Sequence, residues 1–239
     1  TLRIAVWSGP RNLSTAMMRA FGNRADCAVI DEPFYAAYLQ LSGARHPMRA
    51  DILRRHETDW RAVAAQVSGP APGGKPVFYQ KHMTLHMIPG FDRGFMKGLI
   101  NVFLIRHPAR VVASYSRKRE SPTLADIGFV QQAELFDQVA DWLGRPPPVV
   151  DSPDIRADPR GKLSALCVAL GVSFTDRMLG WASGPKPYDG VWAPHWYGGV
   201  HRSTGFEEAE GALPRLPADF ARLADAALPH FDRLAAYRL

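Results

Sequence analysis

The chain has 239 residues, a formal net charge of +6 and a sequence pI of about 9.5, with 46% hydrophobic and 22% charged residues. This length suffices for one sizeable α/β domain with its own core, and the composition argues against a disordered or fibrous chain. No run of Lys and Arg resembles a nucleic-acid-binding arm, and no apolar run reaches membrane-spanning length. The scattered arginines favour a small, highly charged ligand over a polymer.

Cysteine usage and the start of the chain indicate the compartment. Cys27 and Cys167 fall in apolar patterns and are expected to be small core residues rather than a disulfide. Because a strand pattern opens the chain without a signal-peptide pattern, we expect a cytoplasmic protein. Residues 1–239 are expected to form a single domain.

The first motif is a strand, a tight turn and a helix. The apolar run Ile4–Trp7 predicts a buried strand, a Gly-Pro pair breaks it, and apolar residues then recur at helical spacing. This geometry aims unpaired N–H groups and the positive end of a helix dipole at one point, which binds phosphate or sulfate. The alternative is an ordinary surface strand–turn–helix. The expected anion-binding residues are Gly9, Pro10, Arg11, Asn12, Leu13, Ser14 and Thr15.

The loop lacks the second glycine and the lysine of the Walker A loop that binds ATP. It resembles instead the 5′-phosphosulfate loop of sulfotransferases, which runs roughly Pro-Lys-Ser-Gly-Thr-Thr. Pro10 and Arg11 take the positions of the proline and lysine, while Asn12 and Leu13 depart from the pattern. The resemblance implies that Arg11 acts in catalysis by stabilising developing negative charge.

A second strand is predicted over Ala28–Ile30, and it ends in Asp31, Glu32 and Pro33. Open α/β sheets bind ligands at the carboxyl ends of their strands. The Glu-Pro pair resembles one in carbohydrate sulfotransferases, which implies that Glu32 has an acidic catalytic role. The alternatives are a magnesium site of the Walker B type and capping of the next helix.

The run Val77–His82 predicts a third strand, and a proline follows at Pro89. This segment resembles the Lys-Thr-His-Leu-Pro stretch of cytosolic sulfotransferases, which places His82 on the catalytic histidine. A histidine in a ligand crevice can accept the acceptor's proton, because its pKa lies near neutrality. The alternatives are a structural histidine and a metal pair with His86.

A 3′-phosphate site is predicted from two further segments. The strand Ile100–Ile105 leads into a segment that resembles the family's 3′-phosphate motif and matches it at Arg106, Pro108 and Ser114. An arginine fork and a hydroxyl can together hold one phosphate dianion, and the alternative is a surface helix with charged caps. Near the C-terminus, a stretch similar to the loop that closes the family's nucleotide site adds Arg202, Ser203 and Thr204.

Other segments are expected to be structural. The arginine-rich stretch 42–71 has a helical pattern, 124–143 reads as one amphipathic helix, and 148–151 predicts a fifth strand. The aromatic stretch 188–197 has no helical or strand period and is expected to wall a ligand site. A C-terminal amphipathic helix is expected to pack or to form a homodimer.

These resemblances imply a three-layer, P-loop NTPase-like α/β fold with a central parallel sheet of about five strands. They imply transfer of a sulfuryl group from 3′-phosphoadenosine 5′-phosphosulfate (PAPS) to a hydroxyl or amine of a small-molecule acceptor, without a metal. Two alternatives remain open. One is a kinase of the same fold that uses ATP, with magnesium on Asp31, and the other is a non-catalytic nucleotide-binding protein.

Overall fold

Five parallel strands form one sheet in the computed structural model, which describes residues 1–117 and 121–239. The strand order is β2-β3-β1-β4-β5, so β1 lies at the centre. The expected sheet of about five parallel strands is confirmed. The strands are β1 (Leu2–Ser8), β2 (Cys27–Asp31), β3 (Val77–Met83), β4 (Ile100–Ile105) and β5 (Val149–Asp151).

Helices connect the strands and cover both faces of the sheet. In the described part of the chain they are α1 (Ser14–Gly22), α2 (Tyr35–Ser42), α3 (Arg49–Arg55), α4 (Trp60–Ser68), α5 (Pro108–Tyr115), α6 (Leu124–Ile127), α7 (Phe129–Leu143), α8 (Ser152–Ala157), α9 (Pro159–Leu170), α10 (Ala193–Trp196), α11 (Gly198–Arg202) and α12 (Ala218–Ala235).

Two hydrophobic cores lie on the two faces of the sheet. Side chains alternate along β1, so Ile4 and Val6 join one core while Ala5 and Trp7 join the other. The first core includes buried residues of α1 and α9, and the second includes residues of α5, α7 and α12. The result is the three-layer arrangement expected from the sequence, with every carboxyl strand end at one edge.

The structure corrects two details of the predicted elements. The stretch 124–143 is two helices rather than one, because Gly128 adopts a φ of 70° and ends α6. The aromatic stretch 188–197, for which no helix was expected, contains the short helix α10, whereas the helical pattern of 42–71 is confirmed by α3 and α4. The C-terminal helix α12 packs within the chain against α5 and α7.

Candidate active site

A cavity of about 780 Å³ opens at the carboxyl edge of the sheet. Its walls come from the β1–α1 loop, the ends of β2 and β3, the start of α5, and two segments after residue 190. Ligands of open α/β sheets bind at this edge. The expected loop residues Pro10, Arg11, Asn12, Leu13, Ser14 and Thr15 all line it.

The β1–α1 loop presents an uncapped helix start to the cavity. Leu13 occupies the N-cap position with a φ of 68°, and no side chain caps the first turn of α1. Arg11 also has a positive φ, of 63°. The first N–H groups of α1 therefore have no side-chain acceptor and face the cavity together with the positive end of the helix dipole. This arrangement suits a phosphate or sulfate group.

Asn12 and Gly9 support the loop from behind. Asn12 Nδ2 donates to Leu104 O at 3.3 Å, and Asn12 O accepts a hydrogen bond from Ser152 Oγ at 2.7 Å. Gly9 does not line the cavity, which corrects its expected role in direct anion binding. A Cβ at Gly9 would lie 2.6 Å from Ile127 O, so glycine permits a close approach of α6 here.

Arg11, Arg106 and Ser114 meet at one wall, as the two expected anion pockets require. Arg11 Nε donates to Ser114 Oγ at 2.9 Å, and Arg106 Nη1 donates to Arg11 O at 2.7 Å. The loop after β1 and the segment after β4 thus contribute to a single cationic wall. Both segments open onto the same cavity.

The expected loop 202–204 contributes only in part. Arg202 and Ser203 line the cavity, whereas Thr204 does not. Ser203 Oγ already donates to Val200 O at 2.9 Å and accepts from Trp181 Nε1 at 3.1 Å. The placement of Thr204 and these bonds of Ser203 leave Arg202 as the member of the loop best suited to an anion.

A buried ionic cluster lies at the inner end of the cavity. Lys81 Nζ donates to Asp31 Oδ1 at 2.9 Å, to Glu32 Oε1 at 2.5 Å and to Tyr197 Oη at 2.6 Å. The Tyr197 hydroxyl donates to Asp31 Oδ2 at 2.7 Å and accepts from Trp192 Nε1 at 3.0 Å. Glu32 and Lys81 line the cavity, but Asp31 lies behind them.

Burial and neighbouring charges set the proton affinity of this cluster. Burial raises the pKa of Glu32, Lys81 opposes the rise, and the negative charge of Asp31 adds to it. Burial lowers the pKa of Lys81, but the charges of Asp31 and Glu32 outweigh this effect and leave it raised. Glu32 is therefore a carboxylate with an elevated pKa at the cavity wall, as a general base requires.

His82 does not lie in the ligand crevice, which corrects its expected placement. It stacks on Trp7, with ring centroids 4.3 Å apart, on the opposite face of the sheet from Lys81. Its Nε2 lies 3.1 Å from Gln80 Oε1. Burial lowers the pKa of His82 to about 3. This geometry is that of a structural core histidine.

A different histidine, His86, lines the cavity. Its ring stacks on Tyr35, with centroids 4.6 Å apart, and on Tyr38, with centroids 4.9 Å apart. Burial, with a smaller contribution from the positive charge of Lys81, holds the pKa of His86 well below its usual range. This neutral aromatic wall lies beside Glu32 and suits an organic acceptor.

The segment that carries Tyr197 is fixed to α1 by a buried ion pair. Arg19 donates two hydrogen bonds to the carboxylate of Asp189, at 2.6 and 2.7 Å. His201 Nε2 lies 3.2 Å from the same carboxylate. The aromatic stretch predicted to wall the site thus gains a fixed position, which places the Tyr197 hydroxyl in the ionic cluster.

Three charged residues in the cavity wall were not predicted as site residues, namely Arg110, Arg156 and Glu210. Arg110 and Arg156 contact the carboxylate of Glu210, and Arg106 does so as well. Arg110 lies in the first turn of α5, whereas Arg106 precedes that helix, so no helical spacing links the two arginines. Arg156 and Glu210 lie far apart in the chain, and no local pattern connects them.

Within residues 1–117 and 121–239, no group of three or more His, Cys, Asp or Glu residues is placed to hold a metal ion. No helix of this described part has the length and apolarity that spanning a bilayer requires. Both cysteines are buried and free.

Comparison with known proteins decides the family. The family described as "Sulfotransferase domain" matches residues 2–238. The chain belongs to the sulfotransferase family. This membership confirms the resemblance drawn from the motifs.

Two plant relatives of this sulfotransferase-family chain carry a different name. They are the branched-chain-amino-acid aminotransferase-like proteins 1 and 2 of Arabidopsis thaliana, which are 33% and 32% identical over 231 residues. These matches cover 97% of this chain but 41% of each relative. The chain thus spans about two-fifths of the length of these relatives.

Solved sulfotransferase structures share the fold. A sulfotransferase from Alicyclobacillus acidocaldarius matches with a TM-score of 0.60 and 13% identity, covering 99% of this chain and 95% of that one. The sulfotransferase domain of the Synechococcus PCC 7002 olefin synthase matches with a TM-score of 0.51 and 19% identity, covering 100% and 96%. The sulfotransferase domain from the curacin biosynthetic pathway matches with a TM-score of 0.51 and 16% identity, covering 94% and 96%.

Proposed function

We propose that this chain, acting as one domain in the cytoplasm, transfers a sulfuryl group from PAPS to a hydroxyl or amine of a small-molecule acceptor. The observation that carries the proposal is the convergence of Arg11, Arg106 and Glu32 on one cavity. Two cationic groups suit a donor with phosphate at both ends, and a carboxylate suits an acceptor that must lose a proton. The two free, buried cysteines support a reducing compartment.

The donor would span the cationic wall. Its 5′-phosphosulfate would lie at the start of α1, where Ser14, Thr15 and the uncapped N–H groups face the cavity. Its 3′-phosphate would lie near Arg106, Ser114 and Arg202. Fixing both ends of the donor would hold the sulfur in one position against the acceptor.

The chemical step would be an in-line displacement at sulfur. The acceptor oxygen or nitrogen forms a bond to sulfur while the bond between sulfur and the bridging oxygen of the 5′-phosphosulfate breaks. Adenosine 3′,5′-bisphosphate leaves, and the acceptor's proton passes to the Glu32 carboxylate. Arg11 and the N–H groups at the start of α1 stabilise the negative charge that grows on the bridging oxygen. These fixed groups supply the charge stabilisation that magnesium supplies in P-loop kinases, so no metal is proposed.

Glu32 is the proposed base, and His82 is not. Glu32 faces the cavity with a raised pKa, whereas His82 lies on the other face of the sheet. Lys81 would act as a positioning residue, since its three hydrogen bonds hold the Glu32 carboxylate beside Tyr197.

The position of Asp31 argues against an ATP-dependent kinase. Asp31 would have to hold magnesium, but its carboxylate accepts hydrogen bonds from Lys81 and Tyr197 and lies behind the cavity wall. A magnesium ion near Asp31 would also lie close to the Lys81 ammonium, which opposes its binding.

Calorimetric titration with three nucleotides and a transfer assay test the proposal. We expect adenosine 3′,5′-bisphosphate to bind more tightly than adenosine 5′-monophosphate or ATP with magnesium, and PAPS to label a hydroxyl library. Arg106→Ala should weaken binding of the bisphosphate far more than that of the monophosphate. Arg145→Ala, which removes an exposed arginine outside the cavity, is the matched control. Tighter binding of ATP with magnesium would favour the kinase, and bisphosphate binding without transfer would favour a non-catalytic protein.

A further inference from the structure

The carboxylate of Glu210 is enclosed by three arginines in the cavity wall. Arg106 contacts Glu210 Oε1, Arg156 Nη1 lies 2.8 Å from the same oxygen, and Arg110 Nε lies 3.0 Å from Oε2. The Glu210 side chain is only 3% exposed. An acidic side chain thus fills a pocket built from arginines that belong to two separate elements of the fold.

The charges of this pocket are unbalanced. Three guanidinium groups face one carboxylate, which leaves two positive charges. Glu207 contacts Arg156 at 3.1 Å, but its side chain is 69% exposed and its charge is screened by solvent. A phosphate monoester carries up to two negative charges and three terminal oxygens, and guanidinium forks bind such oxygens in pairs. A phosphate therefore matches the three arginines better than Glu210 does.

Within the segment that carries Glu210, Phe206 and Leu216 pack against the two hydrophobic cores, and the stretch between them is held mainly by these arginines. Residues 206–217 have no helix or strand, and they connect Gly205, which bridges to Gly180, with the start of α12. Arg156 Nε donates to Glu208 O at 2.8 Å, and Arg110 donates to Gly211 O. Around Glu210 the same guanidinium groups that hold the carboxylate also hold the backbone. A ligand that takes these donors would release the segment.

We propose that Glu210 occupies a phosphate-binding site formed by Arg106, Arg110 and Arg156, and that a phosphate monoester displaces it together with residues 207–211. Identifying this phosphate as the 3′-phosphate of the donor rests on the proposed function. The acidic segment then acts as a built-in competitor that keeps the site closed until the nucleotide binds. Arg110 and Arg156 join Arg106 as ligands of the phosphate.

Such competition lowers the apparent affinity for the nucleotide. When the binding-competent state is only a fraction of the population, the apparent dissociation constant is the intrinsic constant divided by that fraction. If the closed state holds about nine-tenths of the molecules, removing the Glu210 charge tightens binding about tenfold.

Calorimetry on two isosteric variants tests this competition. Glu210→Gln removes the competing charge, and Glu208→Gln is the matched control, because Glu208 contacts Arg156 only through its backbone oxygen. We expect Glu210→Gln to bind adenosine 3′,5′-bisphosphate about tenfold more tightly than the parent, and Glu208→Gln to bind it as the parent does. Equal or weaker binding by Glu210→Gln, with an unchanged circular dichroism spectrum, overturns the proposal.

Proteolysis of the unmodified chain tests the displacement itself. A glutamate-specific endoprotease has target bonds after Glu207, Glu208 and Glu210. We expect adenosine 3′,5′-bisphosphate to speed cleavage in this segment, since the arginines that hold it are then occupied. Protection of the segment by the nucleotide overturns the proposal.

Titration with inorganic phosphate separates this inference from the proposed function. If no variant binds the bisphosphate but Glu210→Gln still binds inorganic phosphate more tightly than the parent, the donor assignment fails and the displaceable site is supported. If Glu210→Gln gains affinity for neither ligand, the displaceable site is overturned.

Discussion

Tyr197 Oη accepts a 2.6 Å hydrogen bond from Lys81 Nζ, although 116 positions separate the two residues. Lys81 belongs to the sheet, whereas Tyr197 belongs to the segment that walls the cavity. The same hydroxyl donates to Asp31 at 2.7 Å. The electrostatic environment of Glu32 is therefore complete only when this wall is in place, so packing of the wall and the basicity of Glu32 depend on each other.

Removing the charge of Lys81 should change the pH dependence of transfer. As the proposed base, Glu32 must be ionised to accept a proton, so we expect the rate to rise with pH through its raised pKa. Lys81 favours the ionised form. Lys81→Met should therefore raise the pKa of Glu32 further and move the acidic limb of the kcat profile to higher pH, by about one pH unit or more. Steady-state rates across a pH series measure this shift.

Asp31→Asn removes a negative charge where Lys81→Met removes a positive one, so its pH profile should shift in the opposite direction. The negative charge of Asp31 raises the pKa of Glu32, so its removal should move the acidic limb to lower pH. Circular dichroism at each pH should first establish that both variants remain folded. Shifts of the two profiles in the same direction, or no shift in either, would contradict the role of Glu32 as the base.

Gly9→Ala should destabilise the β1–α1 loop, the proposed site of the 5′-phosphosulfate. The added Cβ would lie 2.6 Å from the backbone oxygen of Ile127 and would force the loop and α6 apart. We expect the free energy of unfolding to fall by about 1–3 kcal/mol, as for other overpacked sites. Gly98→Ala is the control, because a Cβ there meets no atom within 4 Å. Urea denaturation of both variants measures the difference, and equal stabilities would rule out the steric role of Gly9.

The sequence was sufficient to predict the sheet, because parallel strands buried on both faces appear as continuous apolar runs. Because β3 is buried on both faces, its sequence did not indicate which of its side chains face the cavity. All residues of Val77–Met83 are buried, so no polar alternation distinguishes the faces, and a shift of one residue exchanges them. The family resemblance pointed to His82, while the structure turns Lys81 toward the cavity.

The arginine pocket around Glu210 could not be predicted for a different reason. Arg106 and Glu210 are 104 positions apart, and Glu210 lies in a stretch without periodic structure. Contacts of this kind depend on how separate elements dock on the sheet. No local spacing rule reports them, whereas the strand–turn–helix motif at the start of the chain is local and was recognised.

His82→Gln should leave transfer nearly unchanged and lower stability. Burial holds the pKa of His82 at about 3, so the ring is neutral during turnover and contributes packing against Trp7. We expect loss of this stacked pair to lower the free energy of unfolding by about 1–3 kcal/mol.

Glu32→Gln should instead reduce kcat by about a hundredfold or more while binding of adenosine 3′,5′-bisphosphate persists. If His82→Gln slows a fully folded enzyme as much as Glu32→Gln does, the histidine takes the proton and the assignment of Glu32 is wrong.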